Sequence, residues 1–224
     1  MDKVNKHPDD ALLASYSAGS LPLSQALCIS AHVERCPECA RKLQRLNRVG
    51  TELMQNLAPA PTSDALKHKL FERLDTLDDS ANDSANDSEV PQPDSSVPRC
   101  LRQFVRDGYD RLSWRRVSLD IQSAELCRDS NGARVELLKI RPGGSANTHT
   151  HLGDEYTVVL EGAFSDETGL YSAGDFVVRD HHHHHTPVAT RDRECICLAV
   201  TEGPIQFTGL FSRMLNPFLR RDYA

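Results

Sequence analysis

The feature that most constrains the fold of this chain is a short run of metal-binding residue types near the N-terminus, His32-Val-Glu-Arg-Cys36-Pro-Glu-Cys39. Two cysteines separated by two residues can hold one metal ion, and in a helix His32 stands one turn before Cys36 on the same face. Structural zinc takes four ligands, and His7 is the only other histidine before His68. The sequence therefore predicts a first metal site with four zinc ligands, His7, His32, Cys36 and Cys39.

Two other interpretations of this run are open. The three residue types can fall together by chance in a helix, or the C-x2-C pair can be a redox motif of the thioredoxin kind. A redox motif of that kind accompanies a β-α-β pattern, which the sequence around residues 36–39 does not show. Zinc is favoured because C-x2-C with a histidine one turn upstream is a specific pattern for coordination by nitrogen and sulfur.

The first 77 residues predict a small all-α bundle. Capping residues, apolar spacings of three to four and punctuating prolines indicate four helices, at 11–18, from Ser24 as N-cap, at 38–57 and at 63–77. Helices this short bury little apolar surface, so a zinc ion is a sensible stabilising element. The apolar side of the fourth helix either packs on its own domain or docks on a partner.

Composition changes abruptly from Asp78 to Pro98. This stretch contains a tandem Ser-Ala-Asn-Asp repeat, several acidic residues and no basic residue. Such a segment cannot bury enough apolar surface to fold, so it predicts a flexible linker. The predicted organisation is a zinc-binding helical domain at 1–77, an acidic linker at 78–98 and a second domain at 99–224.

Residues beyond the linker follow the alternating pattern of β-strands. Short alternating stretches end at glycine-containing turns, with no helical pattern between them. The expected strands cover residues 112–119, 132–140, 156–160, 176–178, 195–200 and 205–211. Many short strands with glycine turns indicate a β-sandwich or barrel.

A second group of metal-binding residue types lies among these strands. In a strand His149 and His151 point to one face, and Glu155 can arrive from the next strand after a tight turn at Gly153. Two histidines and a carboxylate suit Zn, Fe, Mn, Ni or Cu. These residues, completed by one histidine from farther along the chain, form the predicted second metal site.

A run of five consecutive histidines, 181–185, supplies candidates for that further ligand. The run can be a purification tag, a solvated polar loop, or the source of one ligand. His185 is favoured as the ligand because it lies closest to the strand expected after Thr186-Pro187. The alternatives from His181 to His184 stay open.

Two cysteines near the end of the chain, Cys195 and Cys197, alternate on a predicted strand and therefore share one face. They are candidate redox thiols, or else ordinary small core residues. The seven cysteines are an odd number and include C-x2-C and C-x-C spacings, which fits metal-binding or redox thiols in a reducing compartment. We therefore expect a cytoplasmic protein.

Length and charge exclude further classes. No apolar run approaches the roughly 18 residues of a membrane span, and the N-terminus lacks the apolar stretch of a signal peptide. A net charge of -6 argues against direct binding of nucleic acid, which depends on clustered lysine and arginine. We expect neither a membrane nor a nucleic acid as partner.

The stretch Gly143–Gly162 matches the first cupin motif, G-x5-HxH-x3-E-x6-G, at every defined position. The second cupin motif is degenerate, because Gly174-Asp175 is present without the usual Pro-x-Gly before it. With these cupin features, the predicted first metal site and the ending Cys195-Ile-Cys197, the whole chain resembles the ChrR family of zinc-dependent anti-sigma factors.

The resemblance implies that the helical domain binds a sigma factor of the extracytoplasmic-function type in a 1:1 complex and keeps it from RNA polymerase. It implies two zinc ions per chain, one at the first metal site and one held by His149, His151, Glu155 and His185. It also implies that a cupin jelly-roll barrel at 99–224 governs release of the sigma factor in response to singlet oxygen or organic peroxide.

Two alternatives to this function are open. Two histidines and one glutamate can bind Fe(II), so the chain can be a cupin metalloenzyme, a dioxygenase or an isomerase, with an accessory zinc domain. A DNA-binding zinc module is the other alternative, but the sequence lacks the second ligand pair of a C2H2 finger and a strongly basic recognition helix.

Overall fold

The structure, a computed structural model, describes residues 4–82 and 96–208. The described residues within Met1–Arg48 and Pro93–Ala224 form one compact unit, and those within Val49–Gln92 form a second. The predicted domain boundaries, with a linker at 78–98, stay a prediction. Within the described ranges, no helix has the length and apolar character that crossing a membrane requires.

Four helices occupy the N-terminal region, as the sequence predicts, and their bounds are α1 (Asp10–Ser17), α2 (Leu23–Arg35), α3 (Pro37–Gln55) and α4 (Asp64–Asn82). Asp9 is the N-cap of α1 and accepts a hydrogen bond from the backbone N–H of Leu12 over 2.7 Å. Pro37 is the first residue of α3, where its missing N–H costs nothing. α4 continues beyond its predicted end at residue 77.

Eleven strands follow within the described residues, which confirms an all-β cupin-like region after the helices. Their bounds are β1 (Arg115–Arg116), β2 (Ile121–Arg128), β3 (Arg134–Ile140), β4 (His149–His151), β5 (Glu155–Glu161), β6 (Ala163–Asp166), β7 (Gly169–Ser172), β8 (Phe176–Arg179), β9 (Val188–Ala189), β10 (Cys195–Thr201) and β11 (Ile205–Phe207). A six-stranded antiparallel sheet has the order β1-β2-β3-β10-β5-β8. Smaller sheets have the orders β11-β4 and β7-β6-β9.

The six-stranded sheet is covered on both faces. Every side chain of β10 is buried, which is typical of a strand with two covered faces. On one face Ile196 shares a core with Leu13 of α1 and Ile29 of α2. On the other face Cys197 shares a second core with Phe164 of β6. The first two helices therefore pack directly on the outside of the cupin-like sheet.

The N-cap predicted for α2 is wrong. α2 begins at Leu23, after Pro22, so Ser24 lies inside its first turn and is fully buried. The backbone N–H and the hydroxyl of Ser24 donate to Asp129 Oδ2 over 2.9 and 2.8 Å. Because Asp129 lies in the turn between β2 and β3, α2 is capped by a side chain from the β region.

Most of the expected strands are confirmed, with differences that have physical reasons. The strand expected at 112–119 is reduced to β1, which follows a 3-10 turn at Tyr109–Arg111. β2 was not expected, because a bulge between Glu125 and Cys127 breaks its alternation. The hairpin of β6 and β7 was missed because its strands are short. The strand expected at 205–211 is observed as β11, and residues 209–211 lie outside the described residues.

Candidate metal centres

The four residues of the predicted first metal site lie together. One donor atom from each of His7, His32, Cys36 and Cys39 falls within a group whose members are all within 4.8 Å of one another. His7 Nδ1 lies 3.3 Å from Cys36 Sγ and 3.5 Å from Cys39 Sγ. His32, Cys36 and Cys39 are buried. The end of α2 and the start of α3 supply these three, and the chain before α1 supplies the fourth.

A hydrogen bond from Nδ1 orients the His32 ring and leaves Nε2 to face a metal ion. Nδ1 lies 2.7 Å from the carbonyl oxygen of Gly174, and a carbonyl can only accept, so Nδ1 carries the proton. Nε2 is buried, and among the described residues it has no hydrogen-bond partner. Burial lowers the pKa of His32 to about 4, so the imidazole is neutral near pH 7. A metal ion bound here would supply the partner that Nε2 lacks.

The thiols of the first metal site also favour a cation. Burial, and then the neighbouring Cys36, raise the pKa of Cys39 to about 12. A thiolate at this position therefore needs a positive charge beside it. Two thiolates and two neutral imidazoles form a donor set typical of structural zinc, so the residues fit this ion.

His7 is held in place from the cupin-like region. The backbone N–H groups of Asn5 and Lys6 donate to Asp175 Oδ1 over 2.7 and 2.9 Å. The backbone N–H of Phe176 donates to the carbonyl of Lys6 over 3.0 Å. The segment that presents His7 is thus fixed to the first residue of β8 and the residue before it.

The three histidines of the predicted second metal site converge, and Glu155 contacts one of them. His185 Nε2 lies 3.0 Å from His151 Nε2 and 3.1 Å from His149 Nε2, and Glu155 Oε2 lies 3.3 Å from His151 Nε2. All four side chains are buried. β4 carries His149 and His151, β5 begins with Glu155, and paired backbone hydrogen bonds between His149 and His185 bring in the last ligand.

The protonation of these imidazoles would suit an ion between them. His149 Nδ1 donates to the carbonyl of Asn147 over 2.8 Å, which leaves a lone pair on Nε2 in the neutral ring. Burial lowers the pKa of His149, and burial with the neighbouring His149 and His151 lowers the pKa of His185 to about 3. Neutral imidazoles whose Nε2 atoms face one another across about 3 Å fit a shared cation.

Comparison with known proteins identifies the family. A family model described as the ChrR cupin-like domain matches residues 105–206. The chain is 33% identical over 218 residues to the anti-sigma-E factor ChrR of Cereibacter sphaeroides, which covers 97% of this chain and 99% of that protein. The chain belongs to the ChrR family of anti-sigma factors.

The ChrR-family assignment extends to the fold. The structure resembles the crystal structure of Rhodobacter sphaeroides SigE in complex with the anti-sigma ChrR, with a TM-score of 0.76 and 33% identity over 89% of this chain and 100% of that chain. The predicted family and fold class are therefore confirmed. The relative that matches nearly the whole chain is an anti-sigma factor and not an enzyme, and a cupin-like fold alone does not imply catalysis.

A charged cluster behind His185 was missed by the sequence analysis of this ChrR-family chain. His185 Nδ1 lies 3.5 Å from Asp166 Oδ2, and Arg179 donates to the same carboxylate oxygen over 2.7 Å. Burial opposes ionisation of Asp166, but hydrogen bonds from Arg179 and Thr168 outweigh it and lower its pKa. The ionised carboxylate favours a proton on Nδ1 of His185 and keeps Nε2 available for a metal.

The two candidate redox cysteines share one face of β10, as predicted. Cys195 Sγ lies 3.6 Å from Cys197 Sγ, and both side chains are buried in the core that includes Phe164. Hydrogen bonding to Cys195, and then burial, raise the pKa of Cys197 well above the usual value for a thiol. These surroundings favour the core interpretation, and a redox role stays a prediction.

The five-histidine run is divided by the structure. His185, the member favoured from the sequence, lies beside His149 and His151, whereas Asp180, His181 and His182 form a separate group that could hold an ion. His183 Nδ1 lies 2.6 Å from Asp180 Oδ1, and His184 is exposed. The sequence alone did not exclude His181 to His184 as ligands of the second site. Only the backbone pairing of His149 with His185 distinguishes one member of the run from the others.

Proposed function

We propose that this protein is an anti-sigma factor that sequesters a sigma factor of the extracytoplasmic-function type in a 1:1 complex and releases it on an oxidative signal. The observation that carries the proposal is the match along nearly the whole chain to ChrR, including a crystal structure of SigE in complex with ChrR. Sequestration requires only that the helices occlude the sigma factor, with no chemical step.

An exposed apolar stripe on α4 supports a docking role. Its members recur at helical spacing and are each about half to two-thirds exposed; they are Leu66 (59%), Leu70 (57%), Phe71 (62%) and Leu74 (49%). A stripe of this kind is typical of a helix that buries its apolar side on a partner. The occupant we propose is the sigma factor, because the solved relative is a complex with one.

The end of α3 supports the same role. It repeats the spacing of the α4 stripe with the exposed apolar residues Val49, Leu53 and Met54, and exposed Leu57, two residues after the helix ends, continues the spacing. Their exposure distinguishes this end of α3 from its first turn, where Cys39 is buried at the first metal site. We infer that the two stripes bind the sigma factor together.

We propose zinc at both metal sites. At the first site zinc would tie the segment of His7 to the end of α2 and the start of α3, and so fix the arrangement of the helices. At the second site the three imidazoles and Glu155 suit zinc, although other divalent transition metals share this preference.

We propose singlet oxygen or an organic peroxide as the signal, acting at the second metal site. β8 supports transmission between the sites, because its first residue, Phe176, bonds to Lys6 beside His7. Its last residue, Arg179, bonds to Asp166 behind His185. Loss of a ligand or of the ion at the second site would shift a strand that also anchors the first site.

Co-purification with candidate sigma factors tests the proposal. Replacing both Cys36 and Cys39 by serine should abolish capture of the sigma factor, because the first site can no longer hold zinc. The matched control replaces Cys100 and Cys127, which lie outside both sites, and should keep capture. Capture retained by the first variant would overturn the zinc-dependent part of the proposal.

A second pair of changes tests the sensor. Replacing His149 and Glu155 by alanine should leave capture intact and blunt release by singlet oxygen or organic peroxide. A variant that loses capture, or that releases the sigma factor normally, contradicts the assignment of sensing to the second site.

Metal analysis separates this proposal from the cupin metalloenzyme. We expect two tightly held zinc ions per chain and no oxygen uptake, whereas one iron per chain with oxygen uptake would favour the enzyme. We also propose a cytoplasmic location, supported by seven cysteines that are all free and by a partner class that acts with RNA polymerase.

A further inference from the structure

A third group of metal-binding side chains lies outside both metal sites. Asp180, His181 and His182 follow β8 directly and each offer one donor atom, and these atoms lie within 4.8 Å of one another. Neither the first nor the second metal site includes these three residues. Asp180 is partly buried, and the two histidines are exposed to solvent.

The chain holds this group in a defined turn. Asp180 Oδ1 accepts hydrogen bonds from the backbone N–H of His182 over 2.8 Å and from His183 Nδ1 over 2.6 Å. The rings of His181 and His182 lie side by side, with their centroids 3.7 Å apart. Contacts within the protein therefore hold the carboxylate and the two imidazoles together without a bound ion.

The same turn is fastened to the strand that carries two ligands of the second metal site. The hydroxyl of Thr150 donates to the carbonyl of His181 over 3.1 Å. Thr150 lies between His149 and His151, and the loop that begins at Asp180 ends at His185. One loop thus joins the exposed group to the buried site.

We propose that Asp180, His181 and His182 form an exposed third metal site for a divalent transition ion such as Zn²⁺. Two imidazoles and a carboxylate suit borderline ions of this class. Because the site has three protein ligands and is open to water, the ion exchanges more readily than the ions of the two buried sites. When bound, it cross-links the start of the loop that positions His185.

Zinc binding to the full chain tests the site. Equilibrium dialysis against Zn²⁺ compares the native protein with the double variant His181→Ala, His182→Ala and with His184→Ala. The last variant is a matched control, because His184 is an exposed histidine of the same run outside the group. We expect the double variant to bind one ion fewer than the native chain, and His184→Ala to bind the same number.

Equal binding by the native chain and the double variant overturns the site, and so does an equal loss in His184→Ala. The comparison is a difference between variants, so it stands whether or not the two buried sites bind zinc as proposed above. If the two buried sites bind no zinc, the number of bound ions falls equally in all three proteins, and the difference between the variants persists.

Amide hydrogen exchange over residues 180–186 provides a second measurement. The weakly bound ion should slow exchange of this loop in the native chain and in His184→Ala, because it cross-links Asp180 to the two imidazoles. Once the two buried sites are loaded with zinc, the double variant should show no change on adding further Zn²⁺. Slowing in the double variant contradicts the proposal even if the count of ions agrees with it.

Discussion

The imidazole of His32 donates a hydrogen bond from Nδ1 to the carbonyl oxygen of Gly174 over 2.7 Å. This contact joins a ligand of the first metal site to the turn that precedes β8. Asp175, the next residue, accepts two backbone hydrogen bonds from the segment that leads to His7. Two ligands of the first site are therefore positioned by one turn of the cupin-like region.

Replacing Gly174 by alanine should weaken binding of the zinc ion proposed for the first site. Gly174 has φ +97°, where a side chain costs about 1–2 kcal/mol, and its added Cβ would lie 2.7 Å from Cγ2 of Val4. The clash displaces the segment before His7. We expect lower zinc retention in competition with a chelator, measured as ions per chain.

The matched control for that change is Gly132→Ala. Gly132 has φ +87°, so alanine is strained there too, but nothing lies within 4 Å of the added Cβ. This variant should be less stable than the native chain yet keep its zinc. Equal loss of zinc in both variants would show that general strain, and not displacement of Val4, accounts for the effect.

Asp166→Asn should weaken metal binding at the second site by about 10- to 100-fold, the usual effect of removing the carboxylate behind a ligating histidine. The carboxylate lies 3.5 Å from His185 Nδ1, and a neutral amide no longer favours a proton on that nitrogen. Competition with a chromophoric chelator measures the affinity. Asp192→Asn is the control, because Asp192 pairs with Arg193 in an exposed loop. Unchanged metal affinity in both variants would refute the role of Asp166 in supporting His185.

Asp129→Ala should lower the free energy of unfolding by about 1 kcal/mol at pH 7, the usual cost of losing an N-terminal helix cap. Hydrogen bonds from Ser24 hold the pKa of Asp129 below its ordinary value of 3.8. The stabilisation is therefore present above that pH and is lost as the pH falls below it. Urea unfolding of the native chain and the variant should show a gap at pH 7 that narrows below about pH 4.

Asp129→Asn provides the control for this cap. An amide oxygen also accepts from a helix N-terminus but carries no charge, so this variant should retain most of the stability and lack the dependence on pH. A loss in Asp129→Asn as large as in Asp129→Ala would mean that the charge, and not the capping bond, accounts for the stabilisation.

The sequence predicts those parts of the metal sites in which ligands are close along the chain. His32, Cys36 and Cys39 lie within two helical turns, and His149 and His151 alternate on one strand, so helical and strand geometry alone place them together. The family resemblance rests on the same local motifs. The structure then brings these residues to within a few ångström of one another.

Contacts between distant segments could not be predicted, because a linear pattern does not record which turns meet. Gly174 reads as an ordinary turn glycine, and Asp166 as the end of a short strand, until β8 is placed between the two sites. The capping of α2 by Asp129, through Ser24, could not be predicted for the same reason. The sequence places helices and barrel in separate domains joined by a linker, but it gives no sign that α1 and α2 share a core with the sheet.

Cys195 and Cys197 should resist alkylation in the folded protein. Both thiols are buried and lie 3.6 Å apart, and the raised pKa of Cys197 keeps it protonated at pH 8. Since the thiolate is the reactive form and the reagent must also reach it, labelling by iodoacetamide should be at least about tenfold slower at this buried pair than at the partly exposed Cys127.

Mass spectrometry of peptides, after labelling of the native and the urea-unfolded chain, measures this difference. Unfolding should make all seven cysteines react at similar rates, which controls for the chemistry of the reagent. Fast labelling of Cys195 or Cys197 in the native chain would instead favour the redox interpretation, because it requires a thiolate that reaches solvent. Slow labelling assigns the pair to the core beside Phe164.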